Sequence, residues 1–500
     1  MPFKIFVKKN SILIFLLSIG FLLRIWNLHL NLHFGYDQGR DALVVESIIK
    51  NHKPVLIGPT TGIEGVFLGP FFYYLILPFY FLGQGNPVWP ATEMVLLGTL
   101  SIYLIYLLGK DLFGKKVGLL AAALLCFSSQ GIYFSRMLSN PSPLMFISLL
   151  MFWLAYKIKQ DNKKYFPLLG LVMGLSLQTQ LANAFFLTLA IFLYLLPSWK
   201  KIGLINLFLG LGLFLSTFFP QLLFNFRHEH LLSKSLLGNF ISDVNKTSLA
   251  VVWHSRPGFF NQWFINSLTP SILNKMFFPL VSSALLLGII FLPVYFFKKV
   301  SVKDRKGIIL LLLWLLFPIV CYLFYTGNFG FFFDYYIVSQ FLPLLLLASY
   351  SLVSLTKFIK HGRVLKVAVL SIIIFSNVSQ ADTFLFPNSL GYSLMQLNKT
   401  VNYVLKNYNG QAIWARPPDG RPATYEYLLK REAQKQGIKN LRFTEFTQEY
   451  FVIYEPDTWM KNNQAELKPW FLDWYRPLTE GKKLIDKTNF GIIIVEKYQF

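Results

Sequence analysis

One short stretch carries most of the functional information, Phe34-Gly35-Tyr36-Asp37-Gln38-Gly39-Arg40-Asp41-Ala42. It sets two carboxylates, Asp37 and Asp41, and one guanidinium, Arg40, within five residues. A positioned carboxylate can take the proton of an attacking hydroxyl, and a guanidinium can hold a phosphate or a carboxylate through two parallel hydrogen bonds. A plain structural reading stands beside this one. Gln38 to Lys50 has a helical pattern, with Ala42, Val45 and Ile49 on one face. Asp37 then caps the helix, Asp41 lies near its positive end, and Arg40 is a surface partner. The two readings are compatible, because a carboxylate fixed by its own helix is also well oriented as a base.

Four further constellations follow along the chain. Gly69-Pro70-Phe71-Phe72-Tyr73-Tyr74 is an aromatic apolar segment able to line a lipid chain or to sit in an interfacial aromatic belt. Arg136, with Asn140-Pro141-Ser142-Pro143 after it, ends an apolar run where it can hold a phosphate or snorkel to the interface. Arg227, His228, Glu229 and His230, with His254 and Arg256 later, fit the rim of a polar cavity. His228-x-His230 lacks the i, i+4 spacing of helical zinc hydrolases. Asp334-Tyr335-Tyr336, with Pro343 beyond, puts a helix cap and two aromatic hydroxyls at the start of an apolar run. No glycine-rich nucleotide loop and no nucleophile-elbow serine appears, which points to a substrate drawn from a bilayer.

The elements that must position these residues are membrane helices. The 500 residues are 54% hydrophobic and only 14% charged, against about 25% charged in soluble domains. A net charge of +23 would suggest nucleic acid in a soluble protein. Here the lysines and arginines gather in short loops between apolar runs, so the positive-inside rule accounts for them and no nucleic-acid partner is called for. Cys126 and Cys321 lie inside apolar runs and read as packing residues. Spans of roughly 20 apolar residues are expected near 10–28, 91–109, 117–135, 142–157, 165–181, 183–197, 202–220, 276–297, 307–325, 335–356 and 364–379. The first is expected to remain uncleaved, with a cytoplasmic N-terminus. Val66 to Leu82 is apolar enough to cross, but Gly69-Pro70 and Pro78 interrupt it. Read as an interfacial or re-entrant helix on the outer leaflet, it leaves every later basic cluster cytoplasmic. The expected external segments include the first loop, 29–90, and the loop 221–275.

The expected fold is mainly α: a polytopic membrane helical bundle of about eleven spans, residues 1–379, followed by a small external α/β domain, 380–500. In that domain, Gln411 to Ala415, Tyr450 to Tyr454 and Phe490 to Val495 read as strands, and Ala423 to Gln436 reads as a helix.

With these motifs in order, the chain resembles the GT-C superfamily of integral-membrane glycosyltransferases over roughly its first 360 residues. The nearest likeness is to the bacterial branch of lipid A aminoarabinose transferases and RgtA/B/C/D-like proteins, with protein O-mannosyltransferases more distant. Asp37 falls on the family's catalytic aspartate. Gln38 stands where a second acid is usual, and Asp41 can take that role. Gly69-Pro70 with Tyr73 and Tyr74, Arg136 with Asn140, and Tyr335-Tyr336 with Pro343 match later motifs.

The resemblance implies an inverting hexosyl or pentosyl transfer from a polyprenyl-phosphate sugar to a lipid, glycan or protein acceptor, on the outer face of a plasma or inner membrane. Asp37 is the expected base, with Arg40 and Asp41 in support. Arg136, Asn140, Arg227, His228, Tyr73, Tyr74, Tyr335 and Tyr336 are expected to hold the donor and its lipid phosphate. No cofactor is certain, and a divalent metal stays open. The alternative is a transporter or flippase of a lipid-linked sugar. It would use intramembrane polar residues, of which Gln178, Thr179, Gln180 and Asn183 form the main set.

Overall fold

The structure, a computed structural model, describes residues 3–63, 65–241, 246–270, 301–355, 361–386, 393–417, 421–445, 447–455 and 469–500. The expected span 276–297 lies outside them. The chain forms two compact units, one of residues 1–26, 54–75 and 92–383, the other of residues 27–53, 76–91 and 384–500.

The first unit is helical, and the chain is a multi-pass membrane protein. Among the described residues five helices are long and apolar enough to cross a membrane: Asn10–Asn31, Val88–Phe113, Leu181–Lys201, Val302–Phe324 and Gly362–Thr383. Two bent pairs bring the total to seven if each is one span: Lys115–Phe127 with Ser129–Arg136, bent by 61°, and Leu204–Ser216 with Phe219–Arg227, bent by 49°. Helices Leu144–Lys159, Phe166–Leu177 and Phe341–Leu355 occupy three further expected positions. The core is aromatic and aliphatic, with Trp314 stacked on Phe152 at 4.1 Å. Pro343 falls in the first turn of Phe341–Leu355, where a missing N–H costs nothing. The segment from Val66 to Leu82 is helical only over Phe71–Leu82. Those 12 residues reach about 18 Å, well short of the ~30 Å hydrocarbon core.

Bends in membrane helices free carbonyls that lipid cannot satisfy. At the 61° bend the donor is Arg24, fully buried. It gives Nη2 to Leu125 O at 2.9 Å, Nη1 to Cys126 O at 3.1 Å and Gly20 O at 3.0 Å, and Nε to Ser135 Oγ at 3.1 Å. Nothing in the sequence pattern marked Arg24 for this work.

The second unit contains a five-stranded sheet, order β2-β1-β3-β5-β4. Its strands are β1 Ala412–Arg416, β2 Arg442–Phe443, β3 Glu449–Tyr454, β4 Lys483–Phe490 and β5 Ile493–Gln499. β1 pairs in parallel with β2 and β3, and β5 is antiparallel to both β3 and β4. The run Phe490 to Val495 is therefore the tip of a hairpin rather than one strand, and Gly491 turns it at φ 64°. β-Branched and aromatic residues continue through the turn, so composition alone hides it. Helices Leu394–Lys406 and Pro469–Thr479 join the expected helix, observed at Ala423–Lys435.

Candidate active site

The stretch around Asp37 opens a helix, Tyr36–Asn51, in the second unit. The cap is Gly35, two residues before Asp37, the expected cap. Gln38 is the N3 residue of a capping box: it is buried, and its Oε1 accepts from Gly35 N at 2.9 Å. Its amide thus does the local work of the usual N3 glutamate. Asp37 lies in the first turn, where the helix end favours negative charge. The buried stripe is Gln38, Asp41, Ala42, Val45 and Ile48. Ile48 takes the place expected of Ile49, because Gln38, Asp41, Val45 and Ile48 follow the three- and four-residue steps of one helix face.

Arg40 joins the two acids. Its Nη1 meets Asp37 Oδ1 at 2.8 Å, while Nη2 and Nε meet Asp41 Oδ1 at 2.7 and 2.9 Å. The side chain of Asp41 is 4% exposed and that of Asp37 59%. One carboxylate therefore anchors the guanidinium from below, and the guanidinium orients the other, which faces outward. Arg40 also lies 5.6 Å from the Tyr36 ring centre, and Arg421 lies 5.1 Å from it. Arg421 Nη1 donates to the Tyr36 hydroxyl at 2.8 Å.

The rest of the second unit holds this helix in place. Gly39 faces the start of helix Ala423–Lys435 so closely that a Cβ on it would lie 2.6 Å from Thr424 N. Tyr427 donates to Gly85 O at 2.5 Å and lies 5.9 Å from Phe34 and 6.2 Å from Tyr80. Leu394 N reaches Leu32 O at 2.8 Å.

The remaining candidates lie in the first unit. Arg136 is buried, and its Nη1 donates to Arg24 O at 2.8 Å and Trp26 O at 2.7 Å, closing the end of the first helix. Asn140 donates to Thr179 O at 2.6 Å, across the break between Phe166–Leu177 and Leu181–Leu195. Tyr73 is buried, and the Tyr74 hydroxyl donates to Val55 O at 2.8 Å. The N–H of Phe71 meets Gln178 Oε1 at 3.1 Å, and Gln178 Nε2 meets Thr217 O at 2.6 Å. Arg227 and His228 end helix Phe219–Arg227 in exposed positions, with the imidazole stacked on Phe224 at 3.9 Å. His228, Glu229 and His230 do not converge: His228 Nδ1 turns back to Phe224 O at 2.9 Å and His230 packs on Phe226.

Tyr335 and Tyr336 belong to a turn, Asp334–Ile337, built around a residue that was not singled out for donor binding, Arg256. Arg256 is 1% exposed. Its Nη1 donates to the carbonyls of Tyr322 and Tyr325, and its guanidinium lies 5.7 Å from the Tyr325 ring and 5.0 Å from Phe332. Tyr322 donates to Tyr336 O at 2.9 Å, and Asn328 donates to the Tyr336 hydroxyl at 2.9 Å. Nε and Nη2 of Arg256 are buried with no acceptor among the described residues. Burial lowers its pKa while Tyr325, Tyr322 and Tyr336 raise it, and a guanidinium stays cationic under both. The sequence signal was available: an arginine in an apolar aromatic helix, Leu249–Leu268, two residues after His254.

Among the described residues no three His, Cys, Asp or Glu side chains converge to hold a metal ion. Asp37 and Asp41 share Arg40 instead.

Comparison with known proteins agrees with this architecture. Residues 69–224 match the family model of dolichyl-phosphate-mannose-protein mannosyltransferase. No curated protein sequence matches the chain. Among solved structures, ArnT from Cupriavidus metallidurans bound to undecaprenyl phosphate superposes with a TM-score of 0.59 at 11% identity, covering 98% of each chain. The Archaeoglobus fulgidus oligosaccharyltransferase AglB, in complex with an inhibitory peptide and a dolichol-phosphate, gives 0.50 at 12% identity, covering 90% of this chain and 70% of the other. The chain therefore shares the fold of these solved multi-pass membrane proteins.

Proposed function

We propose that this chain is a membrane glycosyltransferase that moves a sugar from a polyprenyl-phosphate carrier to an acceptor hydroxyl. The observation that carries the reading is Asp37, a largely exposed carboxylate oriented by Arg40, in a chain that aligns along its whole length with a protein crystallised on undecaprenyl phosphate. The acceptor oxygen attacks the anomeric carbon as the bond to the carrier phosphate breaks. The acceptor proton passes to Asp37, and the polyprenyl phosphate leaves with the bonding electron pair. A single displacement inverts the anomeric centre. The charge growing on the leaving phosphate needs fixed donors, and Arg256 has two to give. Arg40, already shared between two acids, orients the base.

The donor sugar is a hexose or pentose, and the acceptor a lipid, a glycan or a protein. The positive-inside pattern of the basic loops supports a cytoplasmic N-terminus in a plasma or inner membrane, with residues 380–500 outside. Reporters at Gln160 and after Phe500 test that sidedness and should report opposite faces. The flippase reading is disfavoured by the intramembrane amides. Asn183 and Gln340 bond each other reciprocally at 3.3 and 2.9 Å, and Gln178 spans two helices, so these groups act as clasps.

The test is transfer from a labelled polyprenyl-phosphate sugar by purified protein. Asp37→Asn should lower transfer by ~10²–10⁴-fold, the usual worth of a general base, at unchanged protein level. Full activity in that variant would remove Asp37 from the mechanism. Movement of the lipid across liposomes without any sugar release would favour the flippase.

A further inference from the structure

Two apolar crevices lie side by side in the first unit, where helices Phe166–Leu177, Leu181–Leu195 and Leu204–Ser216 meet. They enclose about 390 and about 450 Å³, and Phe166, Leu169, Met173 and Leu207 line both. Their origin is a close helix approach at glycine. A Cβ on Gly170 would lie 2.1 Å from Gly210 O. Small residues let two helices touch backbone to backbone, and the larger side chains on either flank then stand apart and leave grooves.

One end of this double groove is strongly basic. Trp199 and Ile202 line the first crevice, and the exposed Lys200 and Lys201 stand between them. Lys163 and Lys164 occupy the turn that precedes Phe166. Lys159 closes the neighbouring helix, donating to Tyr194 O at 2.9 Å with its ammonium 5.2 Å from the Tyr194 ring. Burial lowers the Lys159 pKa, and the nearby Lys306 and Lys201 lower it further, which places several cations within reach of one another. Across residues 159–166 and 196–203 the one acid is Asp161. Cations crowded beside an apolar groove in a membrane helix bundle match an anionic headgroup with acyl chains attached.

We propose that this double groove binds an anionic diacyl phospholipid, one chain in each crevice and the phosphate among Lys163, Lys200 and Lys201. The site shares no residue with those proposed for sugar transfer and does not depend on that reading. Native mass spectrometry of the full-length protein, offered phosphatidylglycerol and phosphatidylcholine of identical chains, tests it. Phosphatidylglycerol should be retained in preference. Lys200→Gln with Lys201→Gln should weaken that preference about fivefold for each charge removed. Lys115→Gln with Lys116→Gln, which takes away the same charge elsewhere, should leave it unchanged. Leu207→Trp, filling the shared wall, should lower retention of both lipids with the lysines intact. Equal retention of the two lipids, or equal losses in the two lysine pairs, would overturn the proposal. So would displacement by an equal concentration of polyprenyl phosphate, which would assign the groove to the donor's chain.

Discussion

Gly39 sits between the two acids of the motif, and its substitution tests how the motif helix is held. A Cβ there would lie 2.6 Å from Thr424 N and 2.7 Å from Ala423 C and Thr424 Cα. These are backbone atoms at the start of a helix, and no rotamer change can clear them. Restoring an ordinary 3.4 Å contact needs a retreat of about 0.8 Å, from 3.4 less 2.6. Overpacking of this kind costs ~1–3 kcal/mol, while Ala gains ~1 kcal/mol over Gly in a helix interior. The rigid obstacle argues for the upper part of the cost, so Gly39→Ala should lose ~1–2 kcal/mol, a factor of about 5–30 in the local opening equilibrium. Hydrogen exchange of the Ala423–Lys435 amides reads that equilibrium directly. Gly258→Ala is the control: it is also helical, with nothing within 4 Å of its added Cβ, and it should be neutral or gain up to ~1 kcal/mol. Exchange in Gly39→Ala as slow as in the wild type would refute the packing argument. A loss of equal size in Gly258→Ala would show that the effect has nothing to do with Thr424.

Three further outcomes are expected. Arg256→Lys keeps the charge but loses the forked donors, and should raise KM for the polyprenyl-phosphate donor ~10-fold or more. Restoration by added inorganic phosphate is not expected, and an unchanged KM would remove Arg256 from the site. Asp41→Asn and Arg40→Lys should each lower kcat, but their costs should not add, because Asp41 meets Asp37 through Arg40. Additive losses would mean that Asp41 has a separate task. For Glu496, burial works to raise its pKa, but bonds from Lys487 at 2.8 Å, Tyr475 at 2.7 Å and Tyr498 at 3.0 Å outweigh it and bring the value below normal. A lowered carboxylate pKa stabilises the fold fully above the unfolded value of ~4.3 and loses that contribution as pH falls through the lower folded value. Glu496→Gln should therefore flatten acid unfolding of the sheet below the unfolded value of ~4.3, and an unchanged acid transition would count against the cluster.

Much of this architecture was legible because membrane helices announce themselves by length and apolarity, as Val88–Phe113 and Val302–Phe324 do. Short helices were legible where a proline or glycine marked the edge, as Gly69-Pro70 does before Phe71–Leu82. Helix ends were harder. Asp37 attracts the cap assignment because its side chain is a good capping acceptor, yet Gly35 takes the position and Gln38 supplies the side-chain bond. Periodicity tells which face of Tyr36–Asn51 is buried but not what covers it. The helix at Ala423–Lys435 is nearly 400 residues away in sequence, and its pairing shows in the structure through the tight fit at Gly39 and the contact of Tyr427 with Phe34. The β4–β5 hairpin was missed because its turn carries one glycine inside a long β-branched run.

The buried arginines were the least legible feature, and comparing them gives the firmest lead to the donor phosphate. Removing a guanidinium from water is expensive unless its donors are used. Arg24 uses its donors on Leu125, Cys126 and Ser135 around the bend it supports, and on Gly20 of its own helix. Arg136 is committed to the carbonyls of Arg24 and Trp26 at the end of the same helix. Both satisfy backbone groups that the fold itself leaves open, so their burial is explained by architecture. Arg256 is as deeply buried as Arg24 but uses only Nη1 on carbonyls. Nε and Nη2, the edge of the guanidinium that fits two oxygens of one phosphate, find no acceptor among the described residues. Aromatic rings on Tyr325 and Phe332 hold the cation in place without consuming those donors. A cation held this way, with its bidentate edge facing no acceptor among the described residues, fits the anionic leaving group that the proposed function requires.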